Sequence, residues 1–275
     1  MTELVTTVKT TAPVDHDLPG HGWTLKKIVC WCQQVFGRAI RRSTLRRYLK
    51  ANQLSWKKCQ KVLKKASHAK RVVFIEEFQT LFAQVCRESV RLIYVDESHF
   101  HRDLELGYTW ATTGEVAWRV SDCPRLADRI NCYGAYDFSQ GQCLIWHDGP
   151  CHQENTVKFL HQLAVWLGSD ETPVVLIWDG APWHRAKPVQ DAAADLGFIL
   201  KPLPAYSPDL NPIEGLWKWL REEVTQHYCH KNVQQLFDAC QAFIQRINAD
   251  PEHVISRLWP KFELDPDYEK FLVPS

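Results

Sequence analysis

Two stretches, VVLIWDG (residues 174–180) and SPDLNPIE (residues 207–214), govern the architecture that we expect for this 275-residue chain. The first is an apolar run closed by Asp179, and the second places Glu214 in the first turn of a predicted helix. A gap of 34 residues separates the two carboxylates. Asp96 lies on a further apolar run, LIYVD (residues 92–96). Three acids on rigid elements predict a site for divalent metal, because Mg²⁺ prefers hard oxygen ligands.

The segments around these acids alternate between strand and helix patterns. The predicted strands are 92–96, 108–111, 116–120, 130–138, 174–178 and 198–200, and the predicted helices are 155–167, 187–196 and 211 to about 226. Antiparallel strands followed by a strand-helix succession predict an α/β domain with a mixed sheet flanked by helices. We assign this domain to residues 91–250, with a C-terminal segment at 251–275.

Charge is distributed unevenly along the chain. Residues 1–71 contain 16 Lys and Arg against 3 Asp and Glu, whereas the remainder contains 17 against 29. A basic N-terminal part joined to an acidic body is typical of a nucleic-acid-binding arm. The alternative is a basic face that is only solvated.

The basic part has the pattern of a small helical domain. Residues 1–20 lack periodicity and are predicted to be a flexible tail. Thr24 can cap a helix that ends at Gly37, and Ser43 can cap a second, basic helix over 44–50. These two helices predict a helix-turn-helix domain at 21–66, with or without a wing, followed by a linking helix at 67–90. The predicted DNA-binding residues are Arg41, Arg42, Arg46, Arg47, Lys50, Lys57 and Lys58.

Each acid also has a purely structural interpretation. Asp96 could hydrogen-bond a loop at the end of its strand, and Glu97 is a rival for its role. Asp179 before Gly180 is an ordinary way to leave a strand. Asn211 and Glu214 fit a capping box with Pro212 at the first helical position, which needs no catalysis. His184 could contact substrate phosphate or form a hydrogen bond within its loop.

Composition excludes several classes of protein. The ten cysteines are about 4% of the chain, below the density of a disulfide scaffold, and they lack the paired spacing of a zinc knuckle. The apolar runs are too short for a membrane span, and no secretory signal begins the chain. We expect a cytoplasmic protein without a membrane partner.

The motifs resemble those of the mariner superfamily of transposases, in particular its bacterial insertion-sequence branch. Residues 203–214 are similar to the signature before the last catalytic acid, and residues 178–184 to the motif of the second acid. Tyr94 to Glu97 resembles the strand of the first acid. The 34-residue gap agrees with the Asp-Asp-Glu (DDE) pattern of that family.

The resemblance implies a ribonuclease H-like core in which Asp96, Asp179 and Glu214 are catalytic and bind two Mg²⁺ ions, with Mn²⁺ as a substitute. Glu97 and His184 would be supporting residues. It implies cut-and-paste transposition, with cleavage at terminal inverted repeats and transfer of the 3′-hydroxyl into target DNA, usually at a TA dinucleotide. A homodimer on double-stranded DNA and a location at the bacterial nucleoid are implied as well.

Members of that family usually carry two helix-turn-helix units, whereas this sequence shows one. The missing unit is expected either to be encoded separately or to be lost. An alternative function is therefore a truncated, non-cleaving DNA-binding protein that represses transposition. A structure-selective nuclease on the same fold, which cuts branched DNA and joins no ends, is a third hypothesis.

Overall fold

A computed structural model describes residues 2–56, 67–123 and 128–260. Contacts divide the chain into an N-terminal unit, Met1–Val62, and a C-terminal unit, Leu63–Ser275. No helix within the described residues is long and apolar enough to cross a membrane. The nine described cysteines are all free thiols.

The described part of the N-terminal unit contains α1 (Thr2–Thr10), α2 (Leu25–Phe36) and α3 (Arg42–Ala51). Thr24 caps α2 by accepting from the backbone N–H of Lys27, and Gly37 ends it in the left-handed conformation at φ 64°, as the sequence predicts. The small core consists of Leu4, Ile28, Trp31, Cys32 and Leu45.

Two predictions for this unit are wrong. The predicted DNA-binding residues Lys57 and Lys58 lie outside the described residues. Residues 1–20 are no flexible tail: they hold α1 and a 3-10 turn at Pro13–His16, and Leu4 is completely buried. The Trp23 indole also donates to the Thr11 carbonyl. Packing of apolar residues thus overrides the weak helix propensity of a Thr- and Val-rich stretch. Helix α3 begins at Arg42, so that Ser43 does not cap it.

The C-terminal unit begins with the predicted linking helix and continues into a five-stranded sheet. Helix α4 spans His68–Cys86 and is capped by Ser67. The strands are β1 (Arg91–His101), β2 (Arg129–Asp137), β3 (Gln142–Trp146), β4 (Val174–Trp178) and β5 (Phe198–Pro202). Their order is β3-β2-β1-β4-β5, with β2 antiparallel to β1 and β3, and with β1, β4 and β5 parallel.

Helices cover both faces of this sheet. One face packs against α4, α7 (Glu214–Leu220), α8 (Val233–Asn248) and α9 (Pro251–Arg257). The other packs against α5 (Gln153–Leu167) and α6 (Lys187–Asp195). Strand residues alternate between the two cores, so that Leu92 and Tyr94 join the first core and Ile93 and Val95 the second.

Three predictions for the C-terminal unit need correction. The segment 106–120 holds no strands at 108–111 or 116–120, although its apolar residues alternate, because its backbone pairs with none of the five strands of the sheet. Strand β3 was missed; Gly141, at φ 64°, forms the tight turn before it. The last predicted helix starts at Glu214 and continues after Leu220 as a π-helical turn, Arg221–Thr225.

Candidate active site

The three predicted acids line a single cleft. Asp96 lies within β1, Asp179 follows the last residue of the neighbouring parallel strand β4, and Glu214 is the first residue of α7. The parallel pairing of β1 with β4 ends at Tyr94 and Ile177. Asp96 lies two residues after Tyr94, and Asp179 lies two residues after Ile177. The cleft has a volume of about 540 Å³ and is also lined by residues 203–208. We refer to it as the acidic cleft.

Asp96 is in an environment that opposes its charge. Its Oδ2 accepts a hydrogen bond from Trp217 Nε1 at 2.9 Å. Burial, together with repulsion from Glu214, raises the pKa of Asp96 to about 8, and the Trp217 hydrogen bond only partly offsets this. The carboxyl is therefore mostly protonated at neutral pH when no cation is bound.

Asp179 is stabilised as an anion by His184. The imidazole is buried, stacks on Trp178 with ring centroids 4.3 Å apart, and places Nδ1 2.8 Å from Asp179 Oδ1. The hydrogen bond from His184 lowers the pKa of Asp179, despite partial burial. The backbone N–H of Ala181 donates to the same oxygen at 2.9 Å.

The second ring nitrogen of His184 contacts Glu97. Nε2 lies 2.8 Å from Glu97 Oε1, which also accepts from Trp183 Nε1 at 3.1 Å. Burial lowers the pKa of His184, but the hydrogen bonds to Asp179 and Glu97 outweigh it and raise the pKa to about 10. His184 is thus an imidazolium that donates from both nitrogens. The structure favours the loop-organising interpretation of this residue.

Two clusters of potential ligands therefore meet at Asp179. Ligand atoms of Glu97, Asp179 and His184 lie within 4.8 Å of one another. A histidine that donates from both nitrogens has no lone pair for a metal, so we regard this cluster as an ion-paired support. Glu97 does not line the acidic cleft, which separates its role from that of Asp96.

Glu214 is not held in the predicted capping box. Asn211 ends a 3-10 turn at Pro208–Leu210, and its Nδ2 donates to the Val95 carbonyl at 3.4 Å. The Asn211 side chain is turned toward β1, beside Asp96, and does not cap α7. Burial and then Asp179 raise the pKa of Glu214, while Arg221 lowers it. Within the described residues the Glu214 carboxylate accepts no hydrogen bond.

The loop before Glu214 forms an ion pair with a residue that is distant in sequence. Arg71 of α4 forms a two-pronged ion pair with Asp209, with nitrogen–oxygen distances of 3.0 and 2.8 Å. Lys201 of β5 pairs with Glu77 of the same helix. The sequence gives no signal for these pairs, because the partners are far apart along the chain. Arg185, also overlooked, lies in the acidic cleft and is exposed.

The donors of the acidic cleft fit divalent cations. All three acids offer hard oxygen ligands, and Asp179 Oδ2 accepts no hydrogen bond from the described residues. Burial is the main cause of the raised pKa values of Asp96 and Glu214, and repulsion from a neighbouring acid, Glu214 and Asp179 respectively, adds a part that a bound cation would relieve.

The predicted DNA-binding residues of α3 form an exposed basic surface. Arg42, Arg46, Arg47 and Lys50 line a shallow pocket with Leu25 and Ser43, and Arg41 is exposed beside them. None of these five cations forms an ion pair with a described residue. They are therefore free to contact phosphate groups.

Comparisons with known proteins agree with this geometry. A family model described as DDE superfamily endonuclease matches residues 91–237, and a model described as winged helix-turn helix matches residues 19–78. The insertion element IS630 uncharacterized 39 kDa protein of Shigella sonnei is 20% identical over 241 residues, which cover 87% of this chain and 69% of that protein.

Solved structures of the Mos1 transposase have a similar fold. The Mos1 strand transfer complex gives a TM-score of 0.62 at 15% identity and covers 95% of this chain and 79% of that chain. The Mos1 mariner paired end complex with Mn gives 0.60 at 16% identity, with coverage of 96% and 80%. The predicted fold class, a mixed sheet flanked by helices after a helix-turn-helix unit, is confirmed.

Replacing Asp96 by Asn should stabilise the metal-free protein. In the folded state the Asp96 pKa lies above its unfolded value, so the penalty of ionising it is absent near pH 4, grows as the pH rises and is complete above about pH 8. Asp96→Asn removes this penalty and keeps an acceptor for Trp217. We expect a gain of about 2–4 kcal/mol at pH 8 in EDTA, less than the full pKa shift implies, because solvent screens the cleft.

Urea unfolding at pH 5 and pH 8 checks this prediction. The exposed Asp195→Asn is the matched control and should change the free energy of unfolding by less than about 0.5 kcal/mol at either pH. An Asp96→Asn protein that is no more stable than wild type at pH 8 would contradict the raised pKa of Asp96, to which burial and then repulsion from Glu214 contribute.

Proposed function

The chain belongs to the DDE superfamily endonucleases, and on that premise we propose that it is a DNA transposase of the IS630 and mariner type. It cleaves DNA at the ends of its element and transfers the freed 3′-hydroxyl into target DNA, by cut-and-paste transposition at TA dinucleotides. The observation that carries the proposal is the convergence of Asp96, Asp179 and Glu214 in one cleft. Its site of action is the DNA of the bacterial nucleoid.

Asp96, Asp179 and Glu214 would hold two Mg²⁺ ions, with Mn²⁺ as a substitute. Two such ions activate an attacking oxygen and stabilise the leaving oxygen of a phosphodiester. The chain contributes orientation: His184 and the Ala181 N–H hold one oxygen of Asp179, and Trp217 holds Asp96. Arg185 is positioned to bind a phosphate at the mouth of the cleft, where it offsets the charge of the acids.

DNA binding is proposed for α3. A helix that exposes Arg42, Arg46 and Lys50 at intervals of four residues presents them on one face. Such a face suits the phosphate backbone on either side of a major groove. We propose the terminal inverted repeats and the target as its double-stranded substrates.

Substituting Glu214 by Gln should abolish strand cleavage. The change keeps the size of the side chain and removes one anionic ligand, so we expect at least about a thousand-fold lower rate, the equivalent of several kcal/mol. A plasmid carrying the element's ends, incubated with Mg²⁺ or Mn²⁺, reports nicking, and joined products distinguish transposition from nuclease activity. The control is Glu222→Gln, on the turn that follows the same helix.

The outcome separates the candidate functions. Metal-dependent cleavage by wild type that is lost in Glu214→Gln supports a transposase or nuclease and excludes a non-cleaving repressor. Cleavage by Glu214→Gln at the wild-type rate would contradict the proposed mechanism. DNA binding without cleavage by wild type favours the repressor.

Removing Arg46 or Arg47 should weaken DNA binding in a salt-dependent way. The slope of log affinity against log salt is negative, and each lost phosphate contact reduces its magnitude by about one. Gel shifts over a range of salt concentrations measure this slope for Arg46→Ala and Arg47→Ala. The control is Lys187→Ala, because the Lys187 ammonium is already paired with Asp191. This variant should bind DNA as wild type does. Unchanged slopes in both arginine variants would remove α3 from the interface.

A homodimer on DNA is proposed from the exposed segment, residues 106–120. Its apolar side chains are exposed to solvent in the single chain, and Tyr108 and Trp110 are fully exposed. Trp118 and Val120 are more than three-quarters exposed. A concentration of large apolar side chains in solvent marks an interaction surface, and we assign it to a second copy of this chain.

Replacing Trp110 and Trp118 together by Ser should prevent two DNA ends from being paired while single ends are still bound. Sedimentation or mass photometry of protein with end DNA measures the stoichiometry. Val165→Ser, at an exposed apolar position of α5, serves as the control and should still pair ends. Paired complexes of normal stability in the double variant would refute this assignment.

A further inference from the structure

Asp96 differs from the other two acids in its location. It lies in the interior of β1, which continues to His101, and it pairs across the antiparallel ladder with Gly134 of β2. Its backbone is therefore held by pairing with β2, whereas the pairing of β1 with β4 ends two residues earlier, at Tyr94. What remains to be set is the rotation of its carboxylate.

Trp217 is the side chain that sets this rotation. Its indole Nε1 donates to Asp96 Oδ2 at 2.9 Å, its exposed fraction is 1%, and its ring meets Phe100 edge-on at 5.8 Å. Trp217 follows Glu214 by three residues, which places both on α7 one turn apart. One rigid helix thus carries an acid of the cleft and the hydrogen-bond donor to another.

Gly134 makes room for this indole. A Cβ atom at Gly134 would lie 2.2 Å from Cη2 and 2.6 Å from Cζ2 of Trp217, closer than non-bonded carbon atoms approach. Glycine in a strand interior weakens the strand, and it is found where another group must come close. The residue opposite Asp96 is therefore a glycine because the indole occupies the space of its side chain.

We infer that Trp217 is a positioning residue for the metal site, and that Gly134 is the packing position that admits it. The indole holds the Asp96 carboxylate in one orientation and couples β1 to the helix of Glu214. This inference rests on the proposed function, because it assigns Trp217 a role toward the metal ions of that site. If Trp217 acted only as a core residue, its N–H would be irrelevant to metal affinity.

The test compares two tryptophans of the same helix. Trp217→Phe keeps an aromatic ring and removes the N–H that reaches Asp96. Trp219→Phe is the matched control, because Trp219 is equally buried and donates to Glu223, which does not line the cleft. Binding of Mn²⁺ to the purified full-length protein, measured without DNA by electron paramagnetic resonance, is the readout.

Mn²⁺ should bind to Trp217→Phe roughly 10- to 100-fold more weakly than to wild type, the usual effect of losing a group that orients a ligand. Trp219→Phe should bind Mn²⁺ within about twofold of wild type, whatever its loss of stability. If Trp217→Phe binds Mn²⁺ as wild type does, the inference is wrong. If wild type binds Mn²⁺ no better than Asp96→Asn does, the proposed metal site itself fails.

Gly134 provides an independent arm. Gly134→Ala should displace the indole and weaken Mn²⁺ binding, as Trp217→Phe does. Phe lacks the ring atoms that meet the new Cβ, so adding Trp217→Phe to Gly134→Ala should weaken binding no further and should recover part of the stability lost in Gly134→Ala. Additive losses of affinity would show that the two residues act separately and would overturn the assigned coupling.

Wild-type protein and Asp96→Asn supply the answer even if the Trp217 and Gly134 variants do not fold. In a ¹H–¹⁵N spectrum, one indole resonance should shift when Mg²⁺ is added, and the same resonance should already be displaced in metal-free Asp96→Asn. If Mg²⁺ binds and no indole resonance responds to both changes, Trp217 does not hold the carboxylate and the inference is overturned.

Discussion

Repulsion among three carboxylates is the constraint to which the rest of the C-terminal unit is adapted. Like charges in a partly buried cleft destabilise the fold until a cation is bound. Each acid is accommodated differently. Asp179 is paired with a buried imidazolium, Asp96 retains its proton up to about pH 8, and Glu214 stays exposed at the start of a helix. Each acid thus keeps at least one carboxylate oxygen that is not paired with a protein cation and is available to a metal ion.

The alternation of β1 divides this task between the two faces of the sheet. Asp96 points with Tyr94 toward the core that contains Trp217, whereas Glu97 reaches His184 and Trp183. Two consecutive residues therefore belong to two separate networks. In one, Trp217 orients the Asp96 carboxylate; in the other, Glu97 holds the His184 imidazolium against Asp179. A shift of β1 by one residue would disrupt both networks, because it changes the face of every side chain in the strand. Glu97 is thus a partner of His184 and no substitute for Asp96.

Features with a strong local pattern were predictable from the sequence. Strand β4 matches its apolar run residue for residue, and the Thr24 and Gly37 ends of α2 follow from their capping chemistry. Predictions failed where tertiary contacts decide. Asn211 has the sequence of a helix cap but donates to the Val95 carbonyl, and the segment 106–120 alternates like a strand without a partner. The three acids could be named in advance, as could His184 as a supporting residue, whereas Trp217 as the donor to Asp96 could not, because spacing carries no information about which indole reaches which oxygen.

The loop before Glu214 illustrates how much of the cleft depends on distant sequence. It contains a 3-10 turn at Pro208–Leu210 and holds Tyr206 in the left-handed conformation, at φ 63°, and Leu210 and Ile213 anchor it in the core. Arg71, 138 residues before Asp209, adds a two-pronged ion pair to this loop. Its guanidinium is mostly buried, and loss of Asp209 would leave that charge with fewer acceptors in a poorly solvated place, which costs more than an exposed ion pair contributes. Helix α4 therefore helps to hold the loop that precedes Glu214, although it carries none of the proposed ligands.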